Sequence, residues 1–474
     1  MEHTISVTNV KEMKDMETKK KNLLFIFSDQ HRKFDLGCYG NNEVLTPNLD
    51  QLAQDGVRFE HCCSNSPVCV PARGSLLTGL YAQKHGAYTN DLQIRYDIES
   101  IADVLNNAGY HTGYIGKWHL CGIPRTQYID KDRRLGFQEW KVANCNHNYL
   151  NCYYDDEENV RHHVEGYEPE IFGELAAEFL ERNTKEDKPF ALFLSFATPH
   201  DPHDKLGDEY RKMYQERPVT LRPNTPDEIM VNKTTYIDKA RQVELARGYY
   251  GHITAIDNQI GKLLEILENV GEKDNTLIVY TSDHGDMLGS QGTRDKQLPH
   301  EESIGVPLII TCKDSIQPGV REDLIGLVDL PVTLAGMLGL KFSSQTDGKD
   351  LHKMLEGKER GLEECYLYDL YPCHQAYGKG YSAWRGLRTQ KYTYAVYGDG
   401  REWLLFDNEK DPYQMNNLIH DESLSEVKKE LFKKLKTYVE KEDGFMDGDA
   451  YIKFSGRLEE FNKSQAYFKK PLIE

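Results

Sequence analysis

Four short apolar runs constrain this 474-residue chain more than any other feature. They read LLFIFS at 23–28, FALFLSFA at 190–197, TLIVYTS at 276–282 and VPLIIT at 306–311. Each has the length of a strand buried on both faces. None approaches the roughly 18 to 20 residues that a membrane crossing needs. Helical patterns lie between them. TPNLDQLAQDG at 46–56 has Thr46 as N-cap, Pro47 at the first helical position and Gly56 as the stop. Residues 100–108 are stopped by Gly109, 169–183 are periodic, and a long amphipathic stretch at 236–269 is stopped by Gly271. Residues 111–115 form a further strand. Strands alternating with helices predict an α/β fold, a large and mostly parallel sheet sandwiched by helices.

Asp29, Lys117, His200 and Asp283 each stand just after a strand-like run. Open α/β sheets bind ligands at the carboxyl ends of their strands, so four separate segments converge on one edge. After about residue 360 the pattern changes to antiparallel strands with a Gly398-Asp399-Gly400 turn, then an amphipathic charged helix at 423–440. The expected organisation is a polar N-terminal extension at 1–21, a catalytic α/β domain at 22–360 and a smaller α+β unit at 361–474.

The formal charge is −18, with 76 acidic against 58 basic residues. That balance argues against nucleic acid or an anionic membrane as partner, but leaves room for an anionic small substrate in a local cationic pocket. Ten cysteines are sparse for this length and form no zinc-type pair of CxxC units. Residues 1–22 have no apolar signal core. The expected location is cytoplasmic for the sequence as it stands, and periplasmic or secreted if a signal preceded it.

SPVCVPARGSLLTG, residues 66–79, sets Cys69, Pro71 and Arg73 within five positions. Pro71 in a first helical turn makes Cys69 the opening residue of a helix. A helix N-terminus carries partial positive charge and Arg73 adds a full one, and both favour a thiolate. From the residues alone this is an activated cysteine beside an anion site. Most of the other cysteines read as buried small hydrophobes.

Cys69-x-Pro71-x-Arg73 followed by Leu76-Leu77-Thr78-Gly79 resembles the signature of the type I sulfatases of the alkaline phosphatase superfamily. The resemblance runs along most of the chain. The Asp29 segment, GKWHL at 116–120, TPHDPH at 198–203, SDHGD at 282–286, Lys296 and LFDNEKDPYQMNNL at 405–418 fall in the family's order. It implies that a maturation enzyme converts Cys69 to formylglycine. One hydroxyl of the aldehyde hydrate attacks sulfur and the other later expels sulfate. It also implies one divalent metal held by Asp29, Cys69, Asp283 and His284. Arg73 and Lys117 would hold the hydrate and sulfate, and His119 would take the hydrate proton. His200 with Lys296 would bind sulfate and protonate the departing alcohol. Gln30 and Asn90 are expected to face substrate, with a plain turn role as the alternative for Asn90. Two pairs depart from the commonest pattern: Asp29-Gln30 stands where many members have two aspartates, and Asp283-His284 where many have Asp-Asn. The choline-sulfatase and phosphonate-monoester-hydrolase branches share both pairs. Calcium is expected on resemblance, while an imidazole and fewer carboxylates also suit manganese or zinc.

The expected activity is hydrolysis of sulfate monoesters on a sulfated carbohydrate of glycosaminoglycan or mucin type. Alternatives are a phosphonate monoester or phosphodiester hydrolase on the same site, and a binding protein without turnover. Expected partners are the sulfated saccharide and the maturation enzyme, with no nucleic acid and no membrane. Sugar specificity is assigned to loops 122–168 and 367–380, which carry no readable code. Trp140, between Cys121 and Tyr154, is expected to help close the site. His203, His252, His300 and the pair His162-His163 read as surface or packing residues.

Overall fold

The computed structural model describes residues 19–473 apart from 233–234, 314, 374–378 and 471. Most of the expected polar extension, and 374–378 of the loop at 367–380, lie outside the described residues. The first sheet contains β1 (Asn22–Asp29), β2 (Val57–Cys63), β3 (His111–Lys117), β4 (Glu139–Ala143), β5 (Asn151–Asp155), β6 (Arg161–Glu165) and β7 (Phe190–Pro199). After a separate hairpin, β8 (Glu228–Asn232) with β9 (Thr235–Asp238), it continues with β10 (Thr276–Ser282), β11 (Gly305–Val306), β12 (Leu308–Thr311) and β13 (Gly319–Gly326). Its spatial order is β11-β2-β12-β10-β1-β7-β3-β4-β5-β6, with β13 on β2.

The centre of the sheet is parallel. β10, β1, β7, β3 and β4 all run one way. β1, β7 and β10 are buried along their whole length, which is why their sequences are continuously apolar rather than alternating. The covering helices are α1 (Pro47–Asp55), α2 (Cys69–Thr78), α3 (Ile101–Asn107), α4 (Glu168–Asn183), α5 (Lys239–Asn269) and α6 (Leu330–Met337). Leu24 and Ile26 join the core under α1, α4 and α5, with Phe179, Ile256 and Ile260. Phe25 and Phe27, pointing the other way, join the core under α2, α3 and α6, with Leu77, Leu105 and Leu334. Alternate side chains of one strand therefore nail both helical layers to it.

A second, antiparallel sheet of β14 (Glu364–Asp369), β15 (Trp384–Thr389), β16 (Tyr392–Tyr397) and β17 (Glu402–Asp407) follows. Helix α7 (Ser425–Glu442) lays Leu431, Leu435 and Val439 against Tyr366, Leu387 and Tyr394 of one face. Leu367, Trp384 and Phe406 of the other face pack on Cys63 and Leu324 of the first sheet and on Ile304, just before β11. Among the described residues no helix is long and apolar enough to cross a membrane.

Four local readings differ from the sequence. The run at 306–311 is broken before Leu308, and β12 pairs antiparallel with β10, so one flank of the sheet is mixed. The long helix begins at Lys239, because residues 235–238 pair with β8; Asp238 caps it by accepting from Arg241 N at 2.9 Å. Thr46 makes no side-chain cap on α1. Instead Asp257 of α5 accepts from Asn48 N at 3.2 Å and Leu49 N at 2.8 Å, a cap supplied across the core. Trp140 closes no loop: it is fully buried in β4, 5.0 Å from the ring of Trp118.

Gly116 immediately precedes Lys117 and sits at φ +111, where a Cβ would lie 1.9 Å from the carbonyl oxygen of Ser195. Only glycine lets β3 approach β7 this closely. Gly116→Ala is expected to destabilise the protein by about 3 kcal/mol or more in urea unfolding. A variant within about 0.5 kcal/mol of the parent would contradict the close approach.

Candidate active site

The register of the central strands assembles the site. Ser28 of β1 lies opposite Ser282 of β10, so Asp29 and Asp283 leave adjacent strand ends side by side. Gly116 of β3 lies opposite Ser195 of β7, which brings Lys117 near the segment that ends in His200. Helix α2 then points Cys69, its first residue, at this edge. Its N-cap position, Val68, has no side-chain cap; Val70 N donates to the side-chain oxygen of Asn90 at 3.1 Å. The structure thus places Asn90 against the helix start, buried behind Cys69.

Arg73, one turn along α2, is completely buried. Its Nη2 donates to Asp29 at 2.9 Å and its Nε to Asp283 at 3.0 Å. Its Nη1 donates to the Lys117 carbonyl and to Ser195 Oγ, each at 2.8 Å. The ring of Phe27 lies beneath the guanidinium, 5.1 Å away. The same Asp29 oxygen takes the Lys117 ammonium at 2.7 Å.

Among the described residues, ligand atoms of Asp29, Cys69, Asp283 and His284 lie within 4.8 Å of one another, an arrangement able to hold a metal ion. Cys69 Sγ is 3.2 Å from His284 Nε2 and 3.7 Å from Asp29 Oδ1. His284 Nδ1 donates to Gly285 O at 2.9 Å, which leaves the Nε2 lone pair facing the two carboxylates, 3.7 and 3.5 Å away. Two carboxylates, an imidazole nitrogen and a sulfur brought this close are a donor set that suits a divalent ion. Burial pushes the Asp29 carboxyl up, but Lys117, then His200, Arg73 and His284 together hold it well below the usual carboxylate range. Burial and the neighbouring Asp29 push Asp283 up.

The remaining sequence-predicted residues line the other side. His200 Nε2 is 2.8 Å from Lys296 Nζ. His200 Nδ1 meets the Asp201 carbonyl at 2.8 Å and so carries the proton there. Lys296 also donates to the side-chain oxygen of Gln30, whose amide nitrogen donates to Asp286 at 2.6 Å. Gln30 adopts φ +71 and gives its backbone N–H to Asp283 at 3.0 Å. It is placed to hold Lys296. His119 adopts φ +60, and both of its ring nitrogens are buried without a hydrogen-bond partner. Burial, then Lys117 and Arg125, hold its pKa well below the ordinary histidine value.

Three site residues escaped the sequence reading. Ser195 sits inside an apolar run, and Asp286 closes the SDHGD segment without a role assigned to it. His147, in the loop after β4, stacks on His200 at 4.5 Å between ring centroids and 10° between planes. Its Nε2 lies 3.4 Å from Lys117 Nζ. His203 and His252 are buried and His162-His163 lie on β6, at the far edge of the sheet.

The family model described as Sulfatase matches residues 21–340, and that described as N-sulphoglucosamine sulphohydrolase, C-terminal, matches residues 289–441. The chain is 36% identical over 451 residues to an ulvan-active sulfatase of Formosa agariphila, covering 92% of this chain and 84% of that one. It is 29% identical over 518 residues to an N-acetylglucosamine-6-O-sulfatase of Bacteroides thetaiotaomicron, covering 93% and 90%. A solved structure in complex with its substrate D-glucosamine-2-N,6-O-disulfate superposes with a TM-score of 0.80 at 25% identity, covering 89% of this chain and 98% of that one.

The end of β7 is held by Glu168, a buried acid of α4 that accepts from Ala197 N at 2.8 Å and Thr198 Oγ1 at 3.3 Å. Burial pushes its pKa up to about 7. A raised carboxyl keeps its proton longer in the folded than in the unfolded state, so its contribution to stability is full below about 4.5 and lost as pH rises through about 7. Glutamine keeps the acceptor without the charge. Relative to Glu168→Gln, the parent is expected to lose on the order of 2 kcal/mol between pH 4.5 and 8, read by urea unfolding at both. A pH-independent difference would contradict the shift.

Proposed function

This chain belongs to the sulfatase family, and on that premise we propose that it hydrolyses a sulfate monoester carried by a saccharide, with position 69 as the attacking residue. The observation that carries the reading is the meeting of Cys69 Sγ with His284 Nε2 at 3.2 Å and Asp29 at 3.7 Å, on a helix locked by Arg73 to both carboxylates. Formylglycine at position 69, made from the cysteine by a maturation enzyme, supplies a hydrate whose hydroxyls attack sulfur and later release sulfate. A divalent ion, calcium on family resemblance and manganese or zinc by the imidazole in the set, supplies polarisation of the sulfate oxygens when bound.

The chain's own residues divide the rest of the work. Asp29, Asp283 and His284, with position 69, would hold the ion. Arg73 directs its donors at the two carboxylates, Ser195 and a carbonyl, so its task is to fix the ligand geometry and the pitch of α2. Lys117, bonded to Asp29, and Lys296 present ammonium groups to the sulfate. His119, held neutral by burial and neighbouring cations, has a lone pair ready for the hydrate proton. His200 and Lys296 share one proton: the ring donates through Nδ1 to Asp201, so its Nε2 accepts from the ammonium. The departing alcohol takes its proton from that pair. Asn90 supports the first turn of α2 through Val70.

A saccharide is favoured because the relatives include an ulvan-active sulfatase, an N-acetylglucosamine-6-O-sulfatase and a protein solved with a glucosamine disulfate. The stacked His147 and His200 rings stand beside Lys117 and Lys296, and a second substituent on the central atom would have to pass them. On matured protein, p-nitrophenyl sulfate is expected to exceed p-nitrophenyl phenylphosphonate by at least about tenfold in kcat/KM, roughly 1.4 kcal/mol of transition-state discrimination. A higher value for the phosphonate would move the chain to phosphonate monoester hydrolysis, the reading that Gln30 and His284 share.

A further inference from the structure

His147 belongs to a loop that the chain fastens at both ends across the site. At one end Trp118 N donates to Ala143 O at 3.0 Å and His119 N to Asn144 O at 2.6 Å, tying the loop to the segment of Lys117 and His119. At the other, Tyr149 aims its buried hydroxyl at the carbonyls of Ala197, His200 and Asp201, 3.0 to 3.3 Å away. Between these anchors His147 meets both halves of the candidate machinery. The Lys117 ammonium has no lone pair, so in the 3.4 Å contact His147 Nε2 accepts and Nδ1 carries the proton. The opposite contact is a face: the rings of His147 and His200 lie 10° from parallel at 4.5 Å. Asp201 and Lys296 meet the two ring nitrogens of His200, and neither packs on its faces.

We infer that His147 is a positioning residue for sulfate-ester cleavage, accepting from Lys117 on its edge and fixing the plane of the His200 ring with its face. The inference rests on the sulfatase reading above. As the bond from sulfur to the alcohol oxygen breaks, its electron pair stays on that oxygen, which takes the proton held between Lys296 and His200. The proton reaches it only if His200 Nε2 stays in line with Lys296 Nζ, 2.8 Å away. A parallel ring at stacking distance removes the tilt that would break that line, and it faces any positive charge that builds on His200 during the transfer. Its edge contact keeps Lys117 turned between Asp29 and the sulfate space.

The two contacts can be separated. His147→Phe keeps a stacking face and loses the acceptor; His147→Gln keeps an acceptor and loses the face; His147→Ala loses both. The test measures kcat and KM for p-nitrophenyl sulfate, whose leaving group needs little protonation, and for phenyl sulfate, whose leaving group needs more. His147→Ala is expected to lower kcat on phenyl sulfate about 30-fold and on p-nitrophenyl sulfate less than about threefold, with KM nearly constant. Phenylalanine should restore most of the phenyl sulfate rate, and glutamine should not. Thermal unfolding of each variant checks that the loop still closes, and the comparison of substrates within one variant cancels any loss of folded protein. An equal loss on both substrates, no loss on either, or rescue by glutamine and not by phenylalanine would overturn the inference while leaving the sulfatase reading in place. A matured parent protein that cleaves neither substrate would overturn the sulfatase reading, and the inference with it.

Discussion

The buried guanidinium of Arg73 is the interaction on which the rest of the structure depends. Two carboxylates that leave adjacent strand ends, both without solvent contact, would stay apart or stay protonated without a fixed cation between them. Arg73 bridges them at 2.9 and 3.0 Å, and does so from the helix that begins at Cys69. The same fork therefore sets the spacing of two candidate metal ligands and the height of Cys69 above them. Removing one partner of such a buried pair typically costs about 3 to 5 kcal/mol. Here it would also release α2 from the sheet edge. Phe27 under the guanidinium and Ser195 beside it explain why this spot tolerates a buried charge at all.

Around that knot the chain gathers cations within an acidic protein. Arg73, Lys117 and Lys296 face Asp29 and Asp283, and three nearby histidines, His119, His147 and His200, have pKa values pushed well below the ordinary one, chiefly by burial. Neutral imidazoles among ammonium groups can accept protons, while the ammonium groups keep the field for an anion. A singly charged sulfate ester is the natural guest. The overall charge of −18 says nothing against it, because the field in a dry site is set by neighbours within a few ångströms.

The central strands were plain in the sequence because burial on both faces leaves continuous apolar runs, and a polar residue after each run marks where the edge opens. Asp29, Lys117, His200 and Asp283 stand out for that reason. Strand direction leaves no such trace, so the antiparallel pairing of Leu308–Thr311 had to come from the structure. β2, reading VRFEHCC, alternates buried and part-exposed positions and has no continuous run to find. The cap of α1 comes from Asp257, over two hundred residues away, where local signals pointed to Thr46. Trp140 reads as a lid from its neighbours in a polar loop, yet its ring fills the space beside Trp118. His147 sits in NCNHNYLN, a stretch with no period; only the tertiary fastening of that loop shows what its ring touches.

The account turns on position 69, and one measurement addresses it directly. Protein made with and without the maturation enzyme is digested with trypsin, and the peptide from Phe59 to Arg73 is weighed by mass spectrometry beside the turnover of p-nitrophenyl sulfate. The account predicts that the aldehyde fraction at Cys69 and the specific activity rise together from near zero. Full turnover from protein whose Cys69 keeps its thiol mass would contradict it.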